Sequence, residues 1–406
     1  MKFLTVFLFL LFLTFLSCNK DKEGNTLFDN SAGIIPQIYI NVDQKAEVNT
    51  KDYYLMADIV IDGKSKYKSH AGRTGIKGRG NSTWDYPKKP YKIKLETATP
   101  LFGMEAYKSW ILLAEYLDGS MLYNSIPFET AKMLGMPYTS NVVPVELTIN
   151  NEYKGFYVLT EDKQVGPGRI DIGNGGLLLE LDVFFDEDWQ FKSENFNLPV
   201  MVKYPKAVNM TNDKLDNIKS NFEIFEALVA DPSFPNNNYL DYFEDLSFVN
   251  YMIVYQLTHN RELNSPKSTY INKKAGGKYR MGIVWDFDWA FGFPGTDQHF
   301  DLSSVNESVI ENGSAVGTVF FRRLMTDPHL QSLFKERWNW FKAHKFEKLK
   351  KHVENYAELV RQAMKADHEI WGPRNSSGDI DVDLKNTLTW LDARANYIDN
   401  YVASFE

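Results

Sequence analysis

The hydrophobic period changes about half-way along the chain, and that change limits the folds open to it. Before residue 205 the apolar residues fall in short runs, several alternating with a period of two; beyond 212 they recur at helical spacing. Strands are predicted over 34–40, 53–61, 91–95, 175–182 and 198–204, with a tight hairpin turning at Asn150-Asn151. In the third strand Tyr91, Ile93 and Leu95 share one face and Lys92 and Lys94 the other. A short buried strand near 109–113, a turn at Asp118-Gly119 and a helix stopped by Gly135 come between. Helices are predicted over 215–230, 246–258, 315–326, 329–344, 347–368 and 382–404, interrupted by one hairpin turning at Ala275-Gly276-Gly277. The outcome is an α+β chain: a β-rich part over about 34–205, then a mainly helical part over about 206–404. No internal repeat or low-complexity linker separates the two, so they are expected to share an interface.

With 406 residues and a formal charge of −8, the chain has no general field to attract nucleic acid, so any phosphate site must come from local basic clusters. The N-terminus reads as an export signal. Lys2 precedes an apolar run that stops at Cys18, the only cysteine. The pattern is similar to a bacterial lipoprotein signal, with residues 1–17 removed, Cys18 acylated and 18–33 a polar tether. It places the protein in the bacterial cell envelope, periplasmic or at the cell surface, with the lipid as its only membrane contact.

Four stretches could carry chemistry. In "VWDFDWAFG", a strand continuing through 285–289 would turn Asp286 and Asp288 to one face and Trp285, Phe287 and Trp289 to the other. Two such carboxylates can hold a hard divalent cation whose shell phosphate oxygens complete. The turn Gly78-Arg79-Gly80-Asn81-Ser82 offers backbone amides and Arg79 as an anion cradle, just before the Lys92 and Lys94 face. Glu161 ends an apolar strand, where a carboxylate could pair with a strand lysine. The loop "THNRELNSPKSTY" gathers His259, Arg261, Glu262, Asn264 and Lys267 ahead of the acidic stretch. Each also has a plain structural reading, as turn caps, solvated lysines or a connecting loop.

Taken together, "GRGNSTWDYPKKPYKIKL", "NNEYKGFYVLTED", "NSPKSTY" and "VWDFDWAFG" resemble the motif set of the spore coat protein H (CotH) kinase family. The resemblance implies an atypical protein-kinase-like fold, with a β-rich lobe and a helical lobe enclosing ATP and Mg²⁺ (Mn²⁺ as an alternative), and phosphoryl transfer to serine or threonine hydroxyls of a protein substrate. On that basis Lys94, or Lys92 beside it, would hold nucleotide phosphates with Arg79, Glu161 would orient the lysine, and Asp286 and Asp288 would bind metal. Glu262 would stand where the family has its catalytic aspartate, and Asn264 to Ser268 where a metal-binding asparagine is expected. That departure leaves nucleotidyl transfer, or nucleotide binding with weak catalysis, as alternatives. Two rival readings are a glycosyltransferase using Asp286-Phe287-Asp288 as a metal motif, and a non-enzymatic surface lipoprotein binding glycans or proteins.

Overall fold

The computed structural model of the chain describes residues 34–293, 299–310 and 312–405. The expected signal peptide, tether and lipidation site at Cys18 lie outside the described residues.

Seven strands close into a barrel in the order β1 (Gln37–Val42), β2 (Leu55–Asp62), β3 (His70–Gly78), β4 (Tyr91–Thr99), β5 (Tyr107–Leu113), β7 (Glu152–Glu161) and β6 (Val143–Ile149). Every neighbouring pair is antiparallel except the closing one, β1 on β6, which is parallel from Gln37↔Glu146 to Ile40↔Ile149. Closure leaves no free edge, and the period-two pattern sends Ile38, Ile40, Ile59, Ile61, Ile76, Ile93, Leu95, Trp110, Leu112, Val145, Leu147 and Leu159 into the barrel core. Each such side chain contributes about 1.5–3 kcal/mol of transfer free energy. Lys92 and Lys94 point outwards as the alternation requires.

Strand β3 falls in a segment whose glycines and basic residues read as a loop. The glycines are there because aromatic rings lie against the strand: a Cβ on Gly75 would come within 2.9 Å of Tyr54, and one on Gly78 within 2.3 Å of the Trp84 ring. The β6–β7 hairpin turns as expected, with Asn150 and Asn151 both left-handed (φ 53° and 68°).

A second sheet has the order β12 (Arg280–Met281), β11 (Thr269–Lys273), β8 (Leu177–Leu181), β10 (Pro199–Tyr204), β9 (Gln190–Lys192). Strands from both sides of residue 205, β8 and β11, are hydrogen-bonded to each other in this sheet. Its core is continuous with that of the helices α1 (Ser125–Met133), α2 (Asn212–Ala230), α3 (Asp245–Thr258), α4 (Val316–Leu324), α5 (Pro328–His344), α6 (Phe346–Trp371) and α7 (Ile380–Ala403). Helix α3 is buried from Ser247 to Thr258 and packs on α1, α5 and α7, so it is apolar nearly all round. The molecule is therefore an α+β protein with a β-rich N-terminal region and a helical C-terminal region. Among the described residues no helix is long and apolar enough to cross a membrane.

Barrel and helices are locked by a buried cluster. Lys88, fully buried, donates to Phe156 O at 2.6 Å and to Asp367 Oδ1 of α6 at 2.5 Å, and Asp367 also pairs with Arg374 at 2.8 Å.

Candidate active site

The seam between the barrel, the second sheet and the helices opens into a cavity of about 270 Å³. Strand β12 ends at Met281, and Asp286 sits in the left-handed region at φ 64°, which costs a non-glycine residue about 1–2 kcal/mol. The expected strand through 285–289 is thus corrected to an irregular segment. Both carboxyl groups nevertheless line the cavity, together with Glu262. Two of the three aromatics anchor the segment: Trp285 and Phe287 are buried edge-on against Phe128, with centroids 6.0 and 6.3 Å away, whereas Trp289 is exposed at the cavity mouth.

Backbone bonds hold this segment in place. Helix α3 stops at His259 in a left-handed cap (φ 50°), and the next residue, Asn260, is fully buried. Its Oδ1 accepts from Glu262 N at 3.0 Å and its Nδ2 donates to Asp286 O at 2.8 Å, so one side chain fixes the relation of Glu262 to Asp286. His299, kept neutral by burial with its pKa lowered to about 3, contacts Asp288 O through Nε2 at 3.1 Å. Among the described residues, the side chains of Asp286 and Asp288 form no hydrogen bond or ion pair, which leaves both carboxyl groups to the cavity.

Acid is concentrated here. Burial, then the charges of Asp286, Glu115, Glu262 and Asp118, push the Asp288 carboxyl well above the usual range. Burial and Asp286 likewise raise Glu262 to about 7, against the opposing pull of Lys267, whose Nζ lies 3.5 Å from Glu262 Oε2. Glu115, held by Asn124 Nδ2 at 2.8 and 3.0 Å, is raised by burial to about 7.

Facing the acids is a basic wall, only part of which sequence reasoning located. Arg79 lines the cavity beside Gly80 and Asn81. Gly80 has φ 90°, and a Cβ there would meet Thr83 Oγ1 at 2.0 Å, so the tight turn requires glycine. Lys94 does not reach the cavity; it is exposed on the barrel, over the Tyr54 ring. Lys92 forms a 2.7 Å ion pair with Asp162 in an adjoining cavity. Among the described residues Glu161 pairs with no lysine, because its carboxylate accepts from Asn141 N at 2.7 Å and Nδ2 at 2.6 Å. The expected pairing is therefore displaced by one residue, to Asp162: β7 ends at Glu161, and the acid that reaches Lys92 is the one just beyond it. Asn264 also turns away, accepting from Gly317 N and Thr318 Oγ1 at the start of α4, both at 3.0 Å.

Lys163 and Lys203 complete the basic wall. Lys163 lies over the Trp285 ring at 4.2 Å and the Tyr270 ring at 5.1 Å, and burial lowers its pKa to about 8. Glu180 pairs with Lys203 at 3.1 Å, accepts from the Tyr270 hydroxyl and favours the charged form of Lys163. The signal for Lys163 was in the sequence, two residues past the strand end at Glu161, but Glu180 comes from β8 and meets it only through the sheet. Tyr86 and Tyr116 stack at 5.2 Å on another wall.

Among the described residues no group of three or more His, Cys, Asp or Glu side chains is arranged to hold a metal ion. Asp286 and Asp288 still fit magnesium, which takes one or two carboxylates and draws its remaining oxygens from water and phosphate.

Fold and site together define an α+β protein whose cleft sets unpaired carboxyl groups against clustered cations. The family model described as "CotH kinase protein" matches residues 76–398, most of the chain, and the protein belongs to the CotH kinase family. No curated protein matches it. Family membership carries kinase-like function, with nucleotide and metal use in general.

Proposed function

We propose that the protein transfers the γ-phosphoryl group of ATP, as its magnesium complex, to serine or threonine hydroxyls of a protein acceptor. The observation that carries this is the cleft itself, where Asp286, Asp288 and Glu262 face Arg79, Lys163 and Lys203 in a family of kinase proteins. Such an inventory suits phosphoryl transfer, in which positioning and charge neutralisation supply most of the catalysis. Asp286 and Asp288 would hold the magnesium ion, which when bound neutralises phosphate charge. Arg79, Lys163 and the tight glycine turn at Gly80 would bind phosphate oxygens, with Glu180 fixing the cations and the Tyr86–Tyr116 stack offering an aromatic face to the nucleobase.

Glu262 is the base. The acceptor oxygen attacks the γ-phosphorus, the bond to the β–γ bridging oxygen breaks, ADP leaves, and the hydroxyl proton passes to Glu262. A carboxyl raised to about 7 is half deprotonated at neutral pH and basic enough to take that proton. We propose also that acylation of Cys18 anchors the enzyme in the cell envelope, where it meets its acceptor.

Incubation of the protein with γ-labelled ATP, Mg²⁺ and an envelope extract tests the activity. Label should enter serine or threonine of an acceptor, and Asp286→Asn should lower the rate at least about 100-fold. Equal labelling by the wild type and Asp286→Asn, or none with either, contradicts the reading.

A further inference from the structure

We propose that a second anion site lies behind the glycine turn, in a cavity lined by Lys51, Lys77, Arg79, Lys92 and Lys163, and that it takes phosphate or a comparable oxyanion. The cavity measures about 310 Å³ and adjoins the main cleft, sharing Arg79, Gly80, Asn81, Lys163 and Trp285 with it. Strand register builds it. Lys77 pairs with Lys92 across β3 and β4, and Lys92 with Ile111 across β4 and β5, so the two lysines stand side by side on the outer barrel face with Ile111 beside them.

Among the described residues, four lysines and one arginine line this cavity against a single acid, Asp162, which is occupied by Lys92 at 2.7 Å. The concentration stands out in a chain of net charge −8. Lys77 and Lys92 stand directly opposite on neighbouring strands, where like charges disfavour one another unless an anion joins them. Two of the ammonium groups are anchored yet keep donors to spare. Lys51 Nζ donates to Gly80 O at 3.0 Å and Lys77 Nζ to Lys51 O at 2.7 Å, and an ammonium has three donors. Anchoring reduces the entropy lost when an anion binds.

The site is coupled to the main cleft. Lys51 grips the carbonyl of Gly80, and Arg79 and Lys163 border both cavities, so an oxyanion behind the turn draws on the cations that face Asp286 and Asp288. The inference rests on the proposed function only in assigning the main cleft to the nucleotide.

Titration of inorganic phosphate into the full-length protein by calorimetry tests it, with and without a saturating non-hydrolysable Mg·ATP analogue. Phosphate should bind in both conditions, more weakly as salt rises. The double substitution Lys51→Gln, Lys77→Gln should weaken it at least about tenfold while Lys94→Gln leaves it unchanged. Absence of phosphate binding, equal binding by the double variant, or abolition of binding by the analogue overturns the proposal; the last result makes the cavity part of the nucleotide's own site. Should the analogue itself fail to bind, the proposed function is at fault, and the comparison with the Lys51→Gln, Lys77→Gln variant still reads the second cavity, because neither lysine lines the main cleft.

Discussion

At Asp288 and Glu262 the side-chain chemistry departs far from that of a solvated carboxylate, and both departures have consequences that can be measured. A carboxyl whose folded pKa lies above its unfolded value, about 4, keeps its proton longer in the folded state. It therefore costs stability as the pH rises from the unfolded value towards the folded one. The Asp288→Asn variant should accordingly gain about 2 °C in melting temperature over the wild type between pH 5 and 8 in a chelator, with Mg²⁺ narrowing the gap. A gap that ignores pH contradicts the burial and like-charge repulsion assigned to this site. Glu262, raised to about 7, should give a transfer rate that climbs with pH and levels off above that value. Glu262→Gln should flatten the profile and lower the plateau about 100-fold; an unchanged profile moves the base elsewhere. The lysine assignment is equally open to trial. Because Lys163 lines the cleft and Lys94 lies out on the barrel, Lys163→Ala should slow transfer at least about tenfold and Lys94→Ala by less than twofold.

Among the elements, those with a strong period were legible and those shaped by distant partners were not. The alternation at Tyr91, Ile93 and Leu95, the hairpin at Asn150-Asn151 and the long amphipathic helices follow from local rules, and the structure has them. Strand β3 was hidden because its glycines answer to rings from elsewhere, Tyr54 and Trp84. The strand expected through 285–289 gave way to a left-handed residue at Asp286, held by Asn260 from the end of α3. In the site, the acids of the "WDFD" stretch and the arginine of the glycine turn were readable as motifs. Lys203, Glu180 and Glu115 were not, since each meets the cleft only once the second sheet and the loop after β5 are in place, and Lys163, two residues past the strand end at Glu161, shows its role only against the Trp285 ring. The junction of barrel and α6 is such a long-range feature, and it predicts a stability effect. Asp367→Ala strands Lys88 and Arg374 as buried cations and should cost about 3–5 kcal/mol in denaturant unfolding. A cost under about 1 kcal/mol contradicts the role of that cluster as a lock between the two regions.

Across the whole molecule, the barrel side brings Arg79 and Lys163, the second sheet Lys203 and Glu180, and the segments after α3 and β12 the acids Glu262, Asp286 and Asp288, so no part alone forms the cleft. Such a division makes nucleotide a ligand of the assembled fold, and a ligand that binds only the folded state at 100 times its dissociation constant adds about 2.7 kcal/mol of stability. Calorimetric titration of a non-hydrolysable ATP analogue into the full-length protein, with and without Mg²⁺, reads this most directly. The account predicts magnesium-dependent binding that is lost in the Asp286→Asn, Asp288→Asn double variant. Binding that is indifferent to magnesium and to both substitutions would contradict it.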